Sequence, residues 1–556
     1  MKKVFILALT TIIFLSCKKE KASNPAPGTS PFNLVRATIN DSLSTNITLF
    51  NLAVNPVIKF SFSAPIDKST AAGSIGFVAG NTVVANNYSF SNGDSSLIIQ
   101  PTTALNHLTN YTVSVVGIKS VADSALKTVA KLSFVTSLDS TDQFPQLSDS
   151  ALLTLVQQQT FKYFYDFGHP VSGLARERNS SADVVTTGGS GFGVMAILVG
   201  IQRNFISHAE GLARINLIVN FLISKAQRYH GAFPHWMNGA TGATIPFTPQ
   251  DDGADLVETS YMIQGLLCTR QFFNSATDPD EISLRTNIDN IYNGVEWNWF
   301  RQNGQNVLYW HWSPDFNFAI GQQISGWDEA MIVYALAASS AIDSNRIPKI
   351  VYDNGWAQNG GMKNGVAYYG IVLPLGPVEG GPLFFSHYSF LGINPNNLSD
   401  AYANYWTQDT AHTMINYSYC SANPGHFNGY SNLCWGLTAS DDNASGYSAH
   451  SPTNDIGVIS PTAAISSLPY TPTESMNALR FFYYKLGDKI WGQYGFVDAF
   501  NLTNLWFANS YLAIDQGPEI IMIENYRSGL LWNLFMSCPE IKTGMKNLGF
   551  QSPQLN

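Results

Sequence analysis

The feature that most constrains this chain is a change of hydrophobic period near residue 140. Before it, "VIKFSFSAPID", "SSLIIQP", "NYTVSVVGI" and "KLSFVTS" alternate apolar with polar residues in short runs broken by turn residues. A period of two puts every second side chain on one face of a strand. After it, "ALLTLVQQQTFKYFYDF", "GFGVMAILVGIQRNFI", "EGLARINLIVNFLISKA" and "LVETSYMIQGLLCTRQFF" repeat apolar residues every three or four positions. That is the spacing of a helix face. The two patterns need different layers, so a small all-β domain must precede a large all-α one.

Short strands with frequent turns between Phe32 and Leu138 predict an immunoglobulin-like β-sandwich for residues 32–138. The stretch from "FSFSAPID" to "YTVSVVGIKS" also resembles bacterial Ig-like modules that precede enzymes, which implies a spacer or a weak carbohydrate-binding module. Residues 139–147, within "DSTDQFPQLSD", read as a linker, and residues 148–556 as one large helical domain. Its helical runs are joined by long connections rich in Gly, Pro, Trp and Asn, without a series of βαβ units or a repeat of about 34 or 40 residues. An all-α domain of this size with long loops predicts an (α/α)6 barrel, whose paired helices form two rings and whose loops build a cleft at one end.

The N-terminus carries a targeting segment, residues 1–17. Lys2 and Lys3 precede "VFILALTTIIFLS", an apolar run too short to span a bilayer comfortably. Cys17 follows "FLS" and resembles the lipidated cysteine of a bacterial lipobox, with Phe14 where Leu is more usual. The resemblance implies lipidation at Cys17, a flexible tether over residues 18–31 and attachment to the bacterial cell envelope, at an outer membrane facing the periplasm or the outside. Ordinary signal-peptidase cleavage nearby is the alternative. Cys420 and Cys434 flank "CSANPGHFNGYSNLC" and read either as a disulfide or as two buried thiols, while Cys268 and Cys538 read as core.

Charge is scarce: 12% of residues are charged, and 39 Asp plus Glu outnumber 30 Lys plus Arg. A net charge of −9 argues against a nucleic-acid partner. In such a chain, clustered acids are informative. In "SGWDEAMIVYAL", Ser325 can cap a helix with Asp328 at its third position, leaving Glu329, beside Trp327, without a capping role. "PQDDGADLVETSYMIQGLL" crowds Asp251, Asp252, Asp255 and Glu258 ahead of an apolar helix, with Asp255 and Glu258 on one face. A helix start is satisfied by one or two acids, and crowding raises a carboxyl pKa. In "AIDQGPEIIMIENYRSGLLW", Asp515 reads as a loop residue just before a helix that has Pro518 early in it. Glu524 pairs with Arg527 at i, i+3, and is also counted among candidate substrate-binding acids.

Paired acids without metal-ligand spacing point to glycoside hydrolysis, in which one carboxyl protonates the leaving oxygen and the other activates water or attacks the sugar. No HExxH-type motif is present, and His235, His311, His387, His412 and His426 are scattered singly, so neither metal nor cofactor is expected. "TTGGSGFGVMAIL" lacks the preceding strand and lysine of a phosphate loop, and reads as close backbone packing or as backbone donors lining a sugar site. "FPHWMNG" and "LYWHWSPDFNF" offer His235, Trp236, Trp310 and Trp312 for stacking and hydrogen bonding to sugar rings, or for the core.

"TGGSGFGV", "FPHWMN", "DDGADLVETSYMIQGLL", "ISGWDEAMIVYALAAS" and "AIDQGPEIIMIENYRSGLLWNLF", in this order across Ser148–Phe550, resemble the bacterial glucoamylase-like family. That family overlaps the endo-β-1,2-glucanases of glycoside hydrolase family 144. The resemblance implies an (α/α)6 barrel and a metal-independent, inverting hydrolase of β-1,2-glucan. It implies Glu329 as general acid and Asp515 as general base. Asp251, Asp255, Glu258, Trp327, His235, Trp236, Trp310, Trp312 and Glu524 are the candidate substrate-binding residues. Two alternatives stay open: an exo-acting glucoamylase-type hydrolase of another glucan, and a non-catalytic glycan-binding lipoprotein.

Overall fold

A computed structural model of the chain describes residues 31–43 and 48–556. The targeting segment with Cys17 lies outside the described residues, as does the tether up to residue 30. The chain divides into two units, residues 1–137 and 138–556.

In the first unit the strands are β1 Leu34–Ile39, β2 Ser42–Leu43, β3 Leu49–Leu52, β4 Ile58–Phe62, β5 Ile75–Ala79, β6 Thr82–Val83, β7 Asn86–Ser91, β8 Ser96–Pro101, β9 Asn110–Val115 and β10 Ala130–Thr136. They form two five-stranded sheets, ordered β2-β1-β4-β8-β7 and β3-β10-β9-β5-β6. Alternation decides which face is buried. Ile58, Phe60 and Phe62 of β4 point inward between the half-exposed Lys59 and Ser61, and Tyr111, Val113 and Val115 of β9 do the same from the other sheet. These faces enclose one core with Phe77, Leu97, Ile99, Leu132 and Phe134.

The second unit is helical: α1 Asp149–Tyr165, α2 Thr187–Gln202, α3 His208–Ser224, α4 Leu256–Phe272, α5 Pro279–Asn293, α6 Met331–Ala338, α7 Lys349–Val351, α8 Tyr405–Ala422, α9 Pro461–Ser466, α10 Pro472–Ile490, α11 Ala513–Ser528, α12 Leu530–Met536 and α13 Pro539–Leu548. Helices α6 and α9 are buried along their whole length, and α2, α4 and most of α11 nearly so. A helix that is apolar on every side belongs in the centre of a large domain; "MIVYALAA" of α6 carries no charge at all. Helix α2 packs on α4 and α11, α4 on α6, and α11 on α9, while the 3-10 turn Ser389–Leu391 touches both α6 and α11. Helices α1, α3, α5, α8 and α10 each keep one polar, partly exposed face.

A close crossing of α2 and α4 explains the glycine-rich run. A Cβ on Gly191 of α2 would lie 2.3 Å from the Tyr261 carbonyl oxygen of α4, and one on Gly265 of α4 would lie 2.3 Å from that of Gly191. Backbone meets backbone there, so nothing can rotate away. Gly191→Ala is therefore expected to cost about 1–3 kcal/mol, as overpacking does, read as a lower urea midpoint at unchanged m-value.

Cys268, Cys420, Cys434 and Cys538 are all buried and free. Of the two readings of Cys420 and Cys434, the structure has the buried thiols. Among the described residues, no helix is long and apolar enough to cross a membrane.

Candidate functional site

The acidic cluster of residues 251–258 is organised by the start of α4. Asp255 caps that helix, its Oδ1 accepting from the Val257 and Glu258 N–H groups at 3.0 and 2.9 Å. Its Oδ2 faces His235 Nδ1 at 3.0 Å. An antiparallel pair sets Ala254 opposite Trp312 and Asp255 opposite His311. His311 Nε2 consequently stands 3.6 Å from Asp251 Oδ2 and 3.7 Å from Asp255 Oδ2. One turn further along α4, Glu258 Oε2 accepts from Gly188 N–H at 2.6 Å and from the Thr186 hydroxyl at 3.2 Å. The backbone donor of the glycine-rich run is thus used to orient an acid.

The charges here are interdependent. Burial pushes Asp251 up to about 7, and Asp255, Glu258 and Asp252 add to it. Burial also raises Glu258, with Asp255 adding. Burial would raise Asp255 too, yet His235 and His311 beside it hold its carboxyl below the usual range. Burial alone would discharge His235; the carboxylates of Glu258, Asp255 and Asp251 instead carry it up to about 9. His235 is therefore an imidazolium at neutral pH, among acids that need a counter-charge. His235, Asp251 and Asp255 bring possible ligand atoms within 4.8 Å of one another. They could hold a divalent cation, and the imidazolium supplies positive charge at the same place.

Glu329 lies ahead of α6, which begins at Met331. The expected Ser325 cap does not form, because the Ser325 hydroxyl donates to the Gly355 carbonyl and accepts from Gln358 Nε2. Asp328 instead closes a tight turn, its Oδ1 accepting from Ala330 N–H at 2.8 Å. The Glu329 carbonyl accepts from the hydroxyls of Ser389 at 2.5 Å and Tyr261 at 3.4 Å, which pins its backbone. Its carboxyl is pushed up to about 7 by burial, with Glu258 and Asp255 adding, against a lowering backbone hydrogen bond.

Asp515 belongs to the first turn of α11 and not to a loop, since that helix starts at Ala513 and takes Pro518 into its interior. The Asp515 and Gln516 N–H groups already bond the Leu512 carbonyl. Burial pushes Asp515 well above the carboxylate range, Asp498 and Asp441 add to it, and Arg178 opposes. Asp515 lines a small pocket with Phe384, His387, Tyr388, Thr438 and Thr462. The Tyr388 hydroxyl, raised first by burial, is raised further by Asp515, Glu329 and Glu258 together. Tyr388 also packs edge-on against Tyr261 at 5.6 Å, and the Tyr261 hydroxyl donates to the Glu329 carbonyl.

Aromatic side chains flank the acids. His235 stacks on Phe247 at 4.4 Å, and Trp236 meets that ring edge-on at 4.8 Å. Trp310 lies parallel to His311 at 5.8 Å, while Trp312 turns to His230 and Tyr229. Trp236, Trp310, Trp312 and His235 are all partly exposed, and Phe247 is 47% exposed.

Two expected site residues lie elsewhere. Trp327 is 5% exposed and is enclosed by Trp356, Phe390 and Tyr405, so it has no face to offer a sugar. Glu524 is buried near the far end of α11 and takes a two-pronged ion pair from Arg203 at 2.7 and 2.8 Å. Arg527, its expected partner, reaches Gln157 and Thr154 instead. Nine residues of helix, about 13 Å, separate Glu524 from Asp515. The sequence reading passed over His311 as a lone histidine, and it passed over Asp498. The signal for Asp498 was its setting: in "GFVDAF" a single acid stands among apolar residues of a weakly charged chain.

Comparison with known proteins adds relatives to this geometry. A family model described as "Putative glucoamylase" matches residues 321–539, and one described as "Bacterial Ig-like domain" matches residues 29–136. A crystal structure from Bacteroides uniformis ATCC 8492, under the first description, is 56% identical and covers 74% of this chain and 100% of that one, with a TM-score of 0.72. An endo-beta-1,2-glucanase from Chitinophaga pinensis, solved with sophorotriose and glucose, is 50% identical over 74% of this chain and 100% of that one, with a TM-score of 0.71. An exo beta-1,2-glucooligosaccharide sophorohydrolase (non-reducing end) from Parabacteroides distasonis is 44% identical over 424 residues, which are 72% of this chain and 58% of that protein. The chain therefore spans less than two thirds of that curated relative's length.

Proposed function

Since the chain belongs to the glucoamylase-like family, we propose that it hydrolyses β-1,2-linked glucan, by endo attack and with inversion. The observation that supports this reading is that Asp515 and Tyr388 line one pocket and Tyr388 packs on Tyr261, whose hydroxyl donates to the Glu329 carbonyl, so the starts of α6 and α11 meet there. Glu329, pushed up to about 7, keeps a proton to give to the leaving oxygen, directly or through a sugar hydroxyl. Asp515 in its ionised form takes a proton from the attacking water; because burial raises its carboxyl, only the fraction of the enzyme that has lost that proton is competent. Water enters intact and is split between the two products, so no covalent intermediate is needed. Asp251, Asp255, Glu258 and the His235 imidazolium orient hydroxyl groups, and Trp236, Trp310 and Trp312 supply ring faces.

The fold fits the role. Along the chain, α1, α3, α5, the segment 349–356, α8 and α10 alternate with the more deeply buried α2, α4, α6, the turns of 383–391, α9 and α11. Six such alternations support an (α/α)6 barrel, with the acids of α4, α6 and α11 all at helix starts and so at one end of the inner ring. Cys17, lipidated, would tether the enzyme to the cell envelope, where glucan arrives from outside the cytoplasm.

Because the general acid must be protonated to act, kcat/KM should fall as pH rises through about 7. A rate profile on linear β-1,2-glucan that stays flat up to about pH 9 would remove Glu329 from this role. The mode of cleavage is read from early products. Endo attack gives a spread of oligosaccharides and rapid shortening of the polymer, whereas an exo enzyme releases one short product from the start. The relative from Parabacteroides distasonis favours the exo reading as the second choice. No cleavage of any glucan, with retained binding, would leave the glycan-binding lipoprotein.

A further inference from the structure

We propose that the cleft beside Trp299 is a second glucan-binding site, outside the catalytic cleft, that holds a β-1,2-linked chain while it is cut. For its ligand the inference rests on the proposed glucan activity. Trp299 lies in the 3-10 turn Trp297–Arg301, where Trp297 and Phe300 are fully buried and Trp299 turns outward, 45% exposed. One face of its ring is taken: it lies on His230, centroids 3.9 Å apart and 15° from parallel. Its exposed surface borders a cleft of about 270 Å³, lined also by Glu296, Asn298, Asn303, Ser344 and Asn345.

A single exposed aromatic ring is ordinary on a protein surface. This one is fixed in place. His230 Nδ1 faces Glu296 Oε2 at 2.9 Å, and the Glu296 N–H donates to the His230 carbonyl at 3.0 Å. The Trp299 N–H donates to the Glu296 carbonyl, and the Asn298 N–H to the Asn345 carbonyl, which joins the two segments that wall the cleft. Arg301 ties down the loop beyond, donating to the carbonyls of Gly304 and Gln305 and to Asn298 Oδ1 at 2.7–2.9 Å. A platform already rigid loses little entropy when a ligand arrives.

The lining selects the ligand. Trp299 is the one large apolar residue in it, so a protein partner would find no apolar core around the ring. Its one charged side chain is the acid Glu296, which disfavours anions. The side-chain N–H groups of Asn298 and Asn303 and the Glu296 Oε1 have no protein partner among the described residues. An aromatic face edged by amide donors and a carboxylate acceptor matches a neutral sugar, whose C–H face stacks while its hydroxyls bond sideways. The site also leads to the catalytic cleft. His230 meets Trp312 edge-on at 4.8 Å, and Trp312 lies opposite Ala254 in the strand pair that carries Asp255. A chain lying over Trp299 has only to pass His230 and Trp312 to reach the acids at the start of α4.

The test compares wild type with Trp299→Ala, Trp299→Phe and Asn303→Ala on long linear β-1,2-glucan and on a short β-1,2-oligosaccharide. KM for the polymer should rise about tenfold in Trp299→Ala and about threefold in Asn303→Ala. It should change little in Trp299→Phe, which keeps a ring. In all three, kcat and the kinetics on the short substrate should stay as in wild type. Binding is read directly by retardation in a native gel cast with β-1,2-glucan, each change being placed on Glu329→Gln so that the polymer survives. Equal polymer KM in all four proteins overturns the proposal. So does an equal loss on both substrates, because the ring would then act through His230 and Trp312 on the catalytic cleft. A Trp299-dependent dimer with unchanged KM also overturns it and makes this face an interface between copies. Should Trp299→Ala fail to fold, Asn303→Ala, at an exposed residue, decides by the same comparison. The two readings fail separately. If no glucan is hydrolysed the proposed activity falls, while Trp299-dependent retardation by glucan still upholds the site and its absence overturns it. Hydrolysis of β-1,2-glucan with no dependence on Trp299 sinks only the site.

Discussion

Glu329→Gln should lower kcat on β-1,2-glucan by about 10³-fold, within the range that a positioned general acid supplies, with little change in KM. The substitution keeps the size of the side chain, and the contacts that hold residue 329 are made to its main-chain carbonyl by Ser389 and Tyr261. Only the proton is lost. The mutant should also be no less stable, since Glu258 and Asp255 repel a charge at this position. A substrate whose leaving group needs no protonation, such as an aryl glycoside with an acidic phenol, should recover much of the rate. A kcat within tenfold of wild type, or no such recovery, would move the acid to another residue.

The largest effect on stability is expected at a residue that sequence reading counted in the cleft. Arg203→Met strands the Glu524 carboxylate, which is fully buried, and breaking a buried pair in this way costs about 3–5 kcal/mol. Gln157 Nε2 and the Ser528 hydroxyl still donate to it, which favours the lower end. The pH dependence has a definite sign. In the native protein burial would raise Glu524, but Arg203, Ser528 and Gln157 hold it below its ordinary value. A carboxyl lowered on folding stabilises above its unfolded pKa, and that stability is lost as pH falls through its folded pKa. Without Arg203 the burial effect dominates, so the variant's deficit should be greatest at neutral pH and shrink on acidification as Glu524 takes a proton. Urea unfolding at about pH 7 and about pH 5 reads the difference. Activity per folded molecule should be unchanged, and a fall in it would return Glu524 to the site.

How much of this was legible in advance follows from the range of the interactions. Alternation in "IKFSF" sufficed for a strand with Ile58, Phe60 and Phe62 inward. The uninterrupted apolar run of α6 sufficed for a central helix, although its first residue is Met331 and not Gly326. Both signals are local: a side chain's direction depends on its neighbours within a few residues. The acid clusters were legible for the same reason, because a chain with so few charges shows where it keeps them.

Partners were not legible. His311 meets Asp255 because two strands, 56 residues apart in sequence, pair in one register and not the next. Glu524 takes Arg203 from α2's end over Arg527 on its own helix, and Trp327 is closed off by rings from three distant segments. Asp515 stands out in sequence as an acid at a helix start, but neither its burial nor that of Asp498 does. Their carboxyl groups matter because folding removes water from both and leaves the nearest guanidinium bonded elsewhere. The sequence by itself determined which segments are strands and helices and which stretches are rich in acid, since those depend on spacing along the chain. Only the tertiary structure decided which acids face one another and which keep a proton, since a carboxyl's charge is governed by burial and by neighbours that chain closure brings within a few ångströms.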